Sequence, residues 1–183
     1  MQITSHIKIA NYIYDRIDRN EKRNINRFMF ILGSIAPDLK IARHPKFKIY
    51  NDSIELIESK MIDIEELGKN KFSYRLGIIV HYITDYFCLA HNLKNTLKTR
   101  THLLYEFRLA RAMKKYIATH EFGKQLQKDS LDLIKEHSDI ITMIAHQHKV
   151  YVEERSDNFI DQMVLDIQAS MSLCMALALF ILK

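Results

Sequence analysis

Apolar residues recur along this chain at spacings of three and four, the period of helices with one buried face. Ala10, Ile13 and Ile17 form the first such stripe, and Thr4 or Ser5 ahead of it is the predicted N-cap. A second helix is predicted from about Asn24 through "INRFMFILGS", stopping before Pro37. An irregular stretch, "APDLKIARHPKFKIY", follows and holds both prolines of the chain, Pro37 and Pro45; proline ends helices and pushes its predecessor out of helical geometry. Five more helices are predicted, at about 52–67, 72–92, 99–119, 122–146 and 157–182. No internal repeat, low-complexity tract or linker interrupts them. The expectation is one compact all-α domain over residues 1–183, with about seven helices.

Composition agrees with that expectation. Only 4 glycines and 2 prolines are present, few for a β-rich chain with many tight turns. A hydrophobic share of 48% beside 27% charged residues is that of a soluble globular protein. Lys and Arg exceed Asp and Glu by 27 to 22, a charge of +5, concentrated at 40–48 and 94–115. No dense basic arm results, so no stable nucleic-acid complex is expected. Cys88 and Cys174 stand alone without a C-x-x-C, so neither a disulfide framework nor a zinc knuckle is suggested. The start "MQITSHIKIA" lacks a basic segment followed by an apolar one, so a cytoplasmic location is expected. The run "SLCMALALFIL" is too short to span a bilayer and reads as a buried core helix, with a membrane-touching helix as the lesser alternative. Nothing in the sequence bears on oligomeric state.

The exceptions to the apolar pattern carry the chemistry. In "VHYITDYFCLAH", residues 80–91, Asp85 is the only formally charged side chain between Arg75 and Lys94. A buried carboxylate without a partner costs several kcal/mol. His81 and Asp85, four apart, share a helix face with Ile78 and Cys88; His102 and Glu106 share one with Leu109, Met113 and Ile117. His6 falls on the stripe of the first helix, and His91 ends the fourth. With nine histidines and 22 acids, about one such His-to-acid pair is expected by chance, so spacing alone is weak. A single histidine on an apolar face is more often a core residue. The coincidence of several, beside two acids with no basic neighbour on their own face, points to a cation, and imidazole with carboxylate suits zinc or a similar divalent ion. Other metal and nucleophile patterns are absent: there is no E-x-x-H, no His followed by Asp, no H-E-x-x-H and no G-x-S-x-G.

Taken in order, His6, Asp38, His44, His81, Asp85, His91, His102 and Glu106 resemble the zinc-dependent phospholipase C family. That family includes secreted bacterial phosphatidylcholine-hydrolysing enzymes and clostridial α-toxin, with fungal single-strand nucleases as distant relatives. "HYITDYFCLAH" resembles the family's H-x-x-x-D-x-x-x-x-x-H, and "HLLYE" its H-x-x-x-E. "GSIAPD" is similar to the Asp-bearing segment upstream and "TSHIKIA" to the N-terminal histidine segment.

The resemblance implies an all-α fold with a cleft for two to three zinc ions. Asp38, His44, His81 and Asp85 would hold one, and His91, His102 and Glu106 a second. His6, with Asp85 as a bridge, would contribute to a third. The secreted enzymes use an N-terminal Trp there; this chain has no Trp and begins at Met1, which becomes the candidate backbone ligand. Zinc lowers the pKa of bound water from 15.7 towards about 7, so the implied reaction is phosphodiester hydrolysis, with Asp38 as ligand and general base. Arg43, Lys46 and Lys48 are candidate phosphate contacts. Phospholipid headgroup, nucleotide and small phosphodiester all remain open as substrates. The alternative is a metal-stabilised interaction or structural protein with lost or altered catalysis.

Overall fold

The computed structural model describes residues 1–39, 50–92 and 99–182. The described chain is helical without strands. In order the helices are α1 Ile3–Arg16, α2 Arg27–Ile35, α3 Tyr50–Met61, α4 Lys69–Tyr86, α5 Leu89–Asn92, α6 Thr99–Tyr116, α7 His120–Glu136, α8 Ile140–Glu153 and α9 Phe159–Ile181, with a 3₁₀ turn at Glu21–Asn24.

Nine helices among the described residues exceed the expected seven, and two breaks account for the difference. The segment expected at 72–92 stops at Tyr86, where Phe87 leaves helical geometry and the short α5 restarts three residues on. The segment expected at 122–146 divides at His137, and Asp139 caps α8 by accepting from the backbone N–H groups of Ile141 and Thr142. An Asx cap makes a new helix start cheap there, while the apolar period runs on past it. The first cap also differs. Helix α1 begins at Ile3 with Gln2 at its N-cap and no side-chain cap; Ser5 lies buried within the helix. Conventional caps do appear elsewhere: Asn26 for α2, Thr119 for α7 and Asn158 for α9.

Helix α9 lies in the core, packed chiefly on α7 and α4. It is 23 residues long and apolar enough to cross a membrane by length and composition, but 67% of its most apolar window is buried in the protein. That is the environment of a core helix, in line with the expectation for the run inside it.

Helix α4 is buried on every side from Leu76 to Tyr86 and makes its broadest contact with α2. The two cross at Gly33 and Gly77. A Cβ at Gly33 would stand 2.0 Å from the carbonyl oxygen of Tyr74, and one at Gly77 would stand 2.2 Å from that of Phe30. The helices therefore meet backbone to backbone, which only glycine allows.

Candidate metal centre

The glycine crossing brings α2 against the middle of α4. There the Ser34 carbonyl lies 2.9 Å from His81 Nδ1, and the turn after α2 carries Asp38 to the end of α4 that bears Asp85. Helix α1 adds His6, whose ring stacks on that of His81 with centroids 4.1 Å apart. On the other side of Asp85 stand His91 from α5 and His102 and Glu106 from α6.

Two adjoining groups result, each with ligand-type atoms within 4.8 Å of one another: His6, His81 and Asp85, and His91, His102 and Glu106. In the first, His6 Nε2 is 3.4 Å from Asp85 Oδ1 and 3.7 Å from Asp38 Oδ2, and His81 Nε2 is 3.5 Å from Asp85 Oδ2. In the second, both His91 Nε2 and His102 Nε2 lie 3.1 Å from Glu106 Oε1. Asp85 joins them, since its Oδ1 is also 3.5 Å from His91 Nε2. Two ligands of a tetrahedral zinc, each about 2.0–2.1 Å from it, stand roughly 3.3 Å apart. The observed separations are of that size.

Protonation is also set for a cation. Thr84 Oγ1 donates to the His81 carbonyl and so accepts from His6 Nδ1 at 2.9 Å. Ser34 O can only accept, so His81 Nδ1 carries its hydrogen too. Each imidazole then turns the lone pair of Nε2 towards the acids, the arrangement outer partners impose on metal-ligating histidines. His6 Nε2 has no hydrogen-bond partner among the described residues. Burial lowers the pKa of His6, and burial with the neighbouring His6 ring lowers that of His81 to about 3, so both are neutral at neutral pH. The acids are shifted to the ionised side. Burial works against Asp85, yet His91 and the Met1 ammonium hold it well below the usual carboxylate range. Glu106, likewise opposed by burial, is held at about 2 by the hydrogen bond from His91 and the same ammonium.

The Met1 amino group sits between the two acids. It pairs with Asp85 Oδ1 and lies 2.7 Å from His91 Nε2 and 3.3 Å from Glu106 Oε1. Burial alone would depress its pKa; the charges of Asp85 and Glu106 outweigh that and raise it to about 11. A positive charge is therefore what this position selects. The neutral rings of His6 and His81, the ionised Asp85 and Glu106 and the spacing of the two groups together fit a divalent cation such as zinc.

A second buried network stands behind the first. Asp166 of α9 accepts from Tyr105 Oη at 2.7 Å and the Leu89 N–H at 2.9 Å on one oxygen, and from Tyr151 Oη and Gln162 Nε2, both at 2.8 Å, on the other. It thus ties the first residue of α5 to α6, α8 and α9. At the far end of α5, Asn92 donates to the carbonyls of Tyr86 and Cys88 and accepts from His148 Nε2 at 2.9 Å, while His148 stacks on Tyr86. These contacts fix the short helix that presents His91.

Of the sequence-predicted ligands, His6, Asp38, His81, Asp85, His91, His102 and Glu106 converge, with Met1 among them. His44 and the candidate phosphate contacts Arg43, Lys46 and Lys48 lie outside the described residues. Thr84, Ser34, Asp166, Asn92 and His148 were not singled out from the sequence. Asp166 had a signal, being the only charged side chain between Asp161 and Lys183, whereas a backbone carbonyl such as that of Ser34 leaves none.

Fold and site together define an all-α protein with a candidate divalent-metal centre at the meeting of five segments. The sequence model of the zinc-dependent phospholipase C family matches residues 5–169 of the 183, from α1 into α9, and the chain belongs to that family. At the level of the family this makes it a zinc-dependent, phospholipase C-like hydrolase with a phosphoester substrate. Comparison with curated proteins finds no match, and comparison with solved structures finds none either.

Proposed function

We propose that this protein is a cytoplasmic phosphodiesterase that works with two to three zinc ions, with phospholipase C-type cleavage as its reaction. The observation that carries the reading is the convergence of seven imidazole and carboxylate residues from five segments around one pair of adjoining groups, with His6 and His81 neutral and Asp85 and Glu106 ionised. Asp38, His44, His81 and Asp85 hold one ion, and His91, His102 and Glu106 hold the next. Asp85 serves both sides, and His6, with the Met1 amino group once it has given up its proton, would complete the place for a third. When bound, zinc supplies the Lewis acidity that makes water nucleophilic at neutral pH and neutralises the phosphate oxygens.

The chain's own residues then have distinct tasks. Asp38 has 23% of its side chain exposed, against 8–11% for Glu106 and Asp85, and so is the acid open to a water. Its carboxylate orients that water and takes its proton. Thr84 and the Ser34 carbonyl keep His6 and His81 in the tautomer with Nε2 available. Arg43, Lys46 and Lys48 draw the anionic substrate towards the centre.

Metal analysis, thermal unfolding and hydrolysis of a soluble chromogenic phosphodiester test this together. Two or three zinc ions per chain are expected, with a lower melting temperature and no turnover after chelation. Asp38→Asn should keep the melting temperature of the metal-depleted protein and lose at least about 100-fold in turnover. Less than one bound ion per chain after zinc is supplied would sink the reading. Zinc that binds and stabilises, without hydrolysis of any phospholipid, nucleotide or small phosphodiester, would establish the metal-stabilised structural role instead.

A further inference from the structure

Helix α6 exposes three large apolar side chains within two turns. Leu103, Leu104 and Phe107 are 55, 48 and 50% accessible, on the side of the helix away from its buried Tyr105, Leu109 and Met113. Phe159, at the start of α9, extends this surface: it packs edge-on against Tyr105 at 5.0 Å and lies 5.4 Å from the Arg108 guanidinium. The next residue, Ile160, is 67% exposed.

The same solvent side of α6 carries Arg100, Arg108, Arg111, Lys114 and Lys115, all exposed. Its one acid, Glu106, is buried in the metal centre. None of the five cations forms an ion pair among the described residues; Arg111 lies over the Phe107 ring at 5.9 Å.

We propose that this face of α6 docks the protein on an anionic phospholipid surface; the choice of a lipid rests on the phosphodiesterase reading above. A lipid interface answers both halves of the pattern at once. Leu103, Leu104 and Phe107 enter the boundary of the acyl region, while the arginines and lysines around them meet headgroup phosphates. The other occupants fit less well. Two copies of this face would bring five cations against five, and like charges across an interface are strongly unfavourable. Single-stranded nucleic acid would use the cations but stacks on aromatic rings, and two of the three central side chains are leucines.

Co-sedimentation of the full chain with vesicles tests the proposal without any need for turnover. Vesicles of equal phosphatidylglycerol and phosphatidylcholine should bind at least about tenfold more tightly than pure phosphatidylcholine, and added salt should weaken the binding. The triple variant Leu103→Ser, Leu104→Ser, Phe107→Ser should lower the partition by at least about tenfold, as should Arg100→Gln with Arg108→Gln and Arg111→Gln. Phe28→Ser on α2, 70% exposed in the parent, should bind as the parent does. Equal binding by all variants, or none to the anionic vesicles, overturns the proposal. So does a dimer that the serine variant dissociates, or a preference for a single-stranded oligonucleotide that the serine variant retains. Vesicle binding without hydrolysis would count against the catalytic reading alone; hydrolysis of a soluble phosphodiester by a protein that ignores vesicles would count against docking alone.

Discussion

Replacing Gly33 by alanine sets the helix crossing against the rest of the fold. The new Cβ would stand 2.0 Å from the Tyr74 carbonyl oxygen, 2.9 Å from its carbonyl carbon and 3.1 Å from the Gly77 Cα. Contacts below 3.0 Å are not tolerated and the neighbours are backbone, so α2 and α4 must part by about 1 Å. Overpacking usually costs about 1–3 kcal/mol and occasionally more; with a 2.0 Å clash against backbone and a 1 Å gap that forfeits a quarter to a half of the dispersion between facing atoms, the gross cost here is about 3–5 kcal/mol. Alanine recovers about 1 kcal/mol through helix propensity. The net expectation is a loss of about 2–4 kcal/mol, which in a chain of this size lowers the melting temperature by roughly 5–15 °C. Zinc affinity should fall as well, because the Ser34 carbonyl that holds His81 Nδ1 is the next residue. Gly68→Ala is the control. No atom lies within 4 Å of its Cβ, and it caps α4 without a side-chain bond, so it should cost under about 1 kcal/mol. Thermal unfolding of the two variants decides. A Gly33→Ala protein that melts within about 2 °C of the parent would refute the backbone-to-backbone crossing.

Two other perturbations follow from the network behind the centre. Asp166→Ala strands two tyrosine hydroxyls, an amide and the Leu89 N–H in a dry interior; a loss of about 3–5 kcal/mol is expected in denaturant unfolding, with weaker zinc binding because α5 loses its anchor. His148 is buried, which lowers its pKa from the ordinary 6.5 to about 4. The unfolded chain therefore takes up this proton first as pH falls, and the stability His148 contributes above pH 6.5 is lost between about 6.5 and 4. His148→Gln should remove on the order of 2–3 kcal/mol of the acid-side loss between pH 7 and 4.5; parallel stability curves for parent and variant would refute the assignment.

How much of this was legible in the sequence follows from where each signal lies. His81, Asp85, His102 and Glu106 could be read because each pair breaks an apolar stripe at helical spacing, and the pattern is local. Asp166 breaks its own stripe in the same way, but its partners come from α5, α6 and α8 as well as α9, and only tertiary contact brings them together. The break before α8 was hidden because apolar residues keep their period across it, leaving Asp139 as the sole local sign. Gly33 and Gly77 left no mark at all. A glycine within a helix reads as a weak point until the chain that crosses it is known.

That last omission bears on the centre itself. Asp38 and Ser34 belong to one of the crossing segments, and His81 and Asp85 to the other, so their separations are set by how closely two backbones approach. A crossing made by larger side chains would stand farther off and could relax by rotamer changes. One made at backbone contact has little slack, and the His6 ring, stacked on His81 and bonded to Thr84, is held by the same rigid face of α4. On the opposite side α5 is only four residues long and has no comparable packing of its own. Its placement depends on Asp166 at one end and on Asn92 with His148 at the other. The two groups should therefore fail differently: loosening the glycine crossing ought to weaken the His6, His81 and Asp85 side first, and loosening the Asp166 network the His91, His102 and Glu106 side.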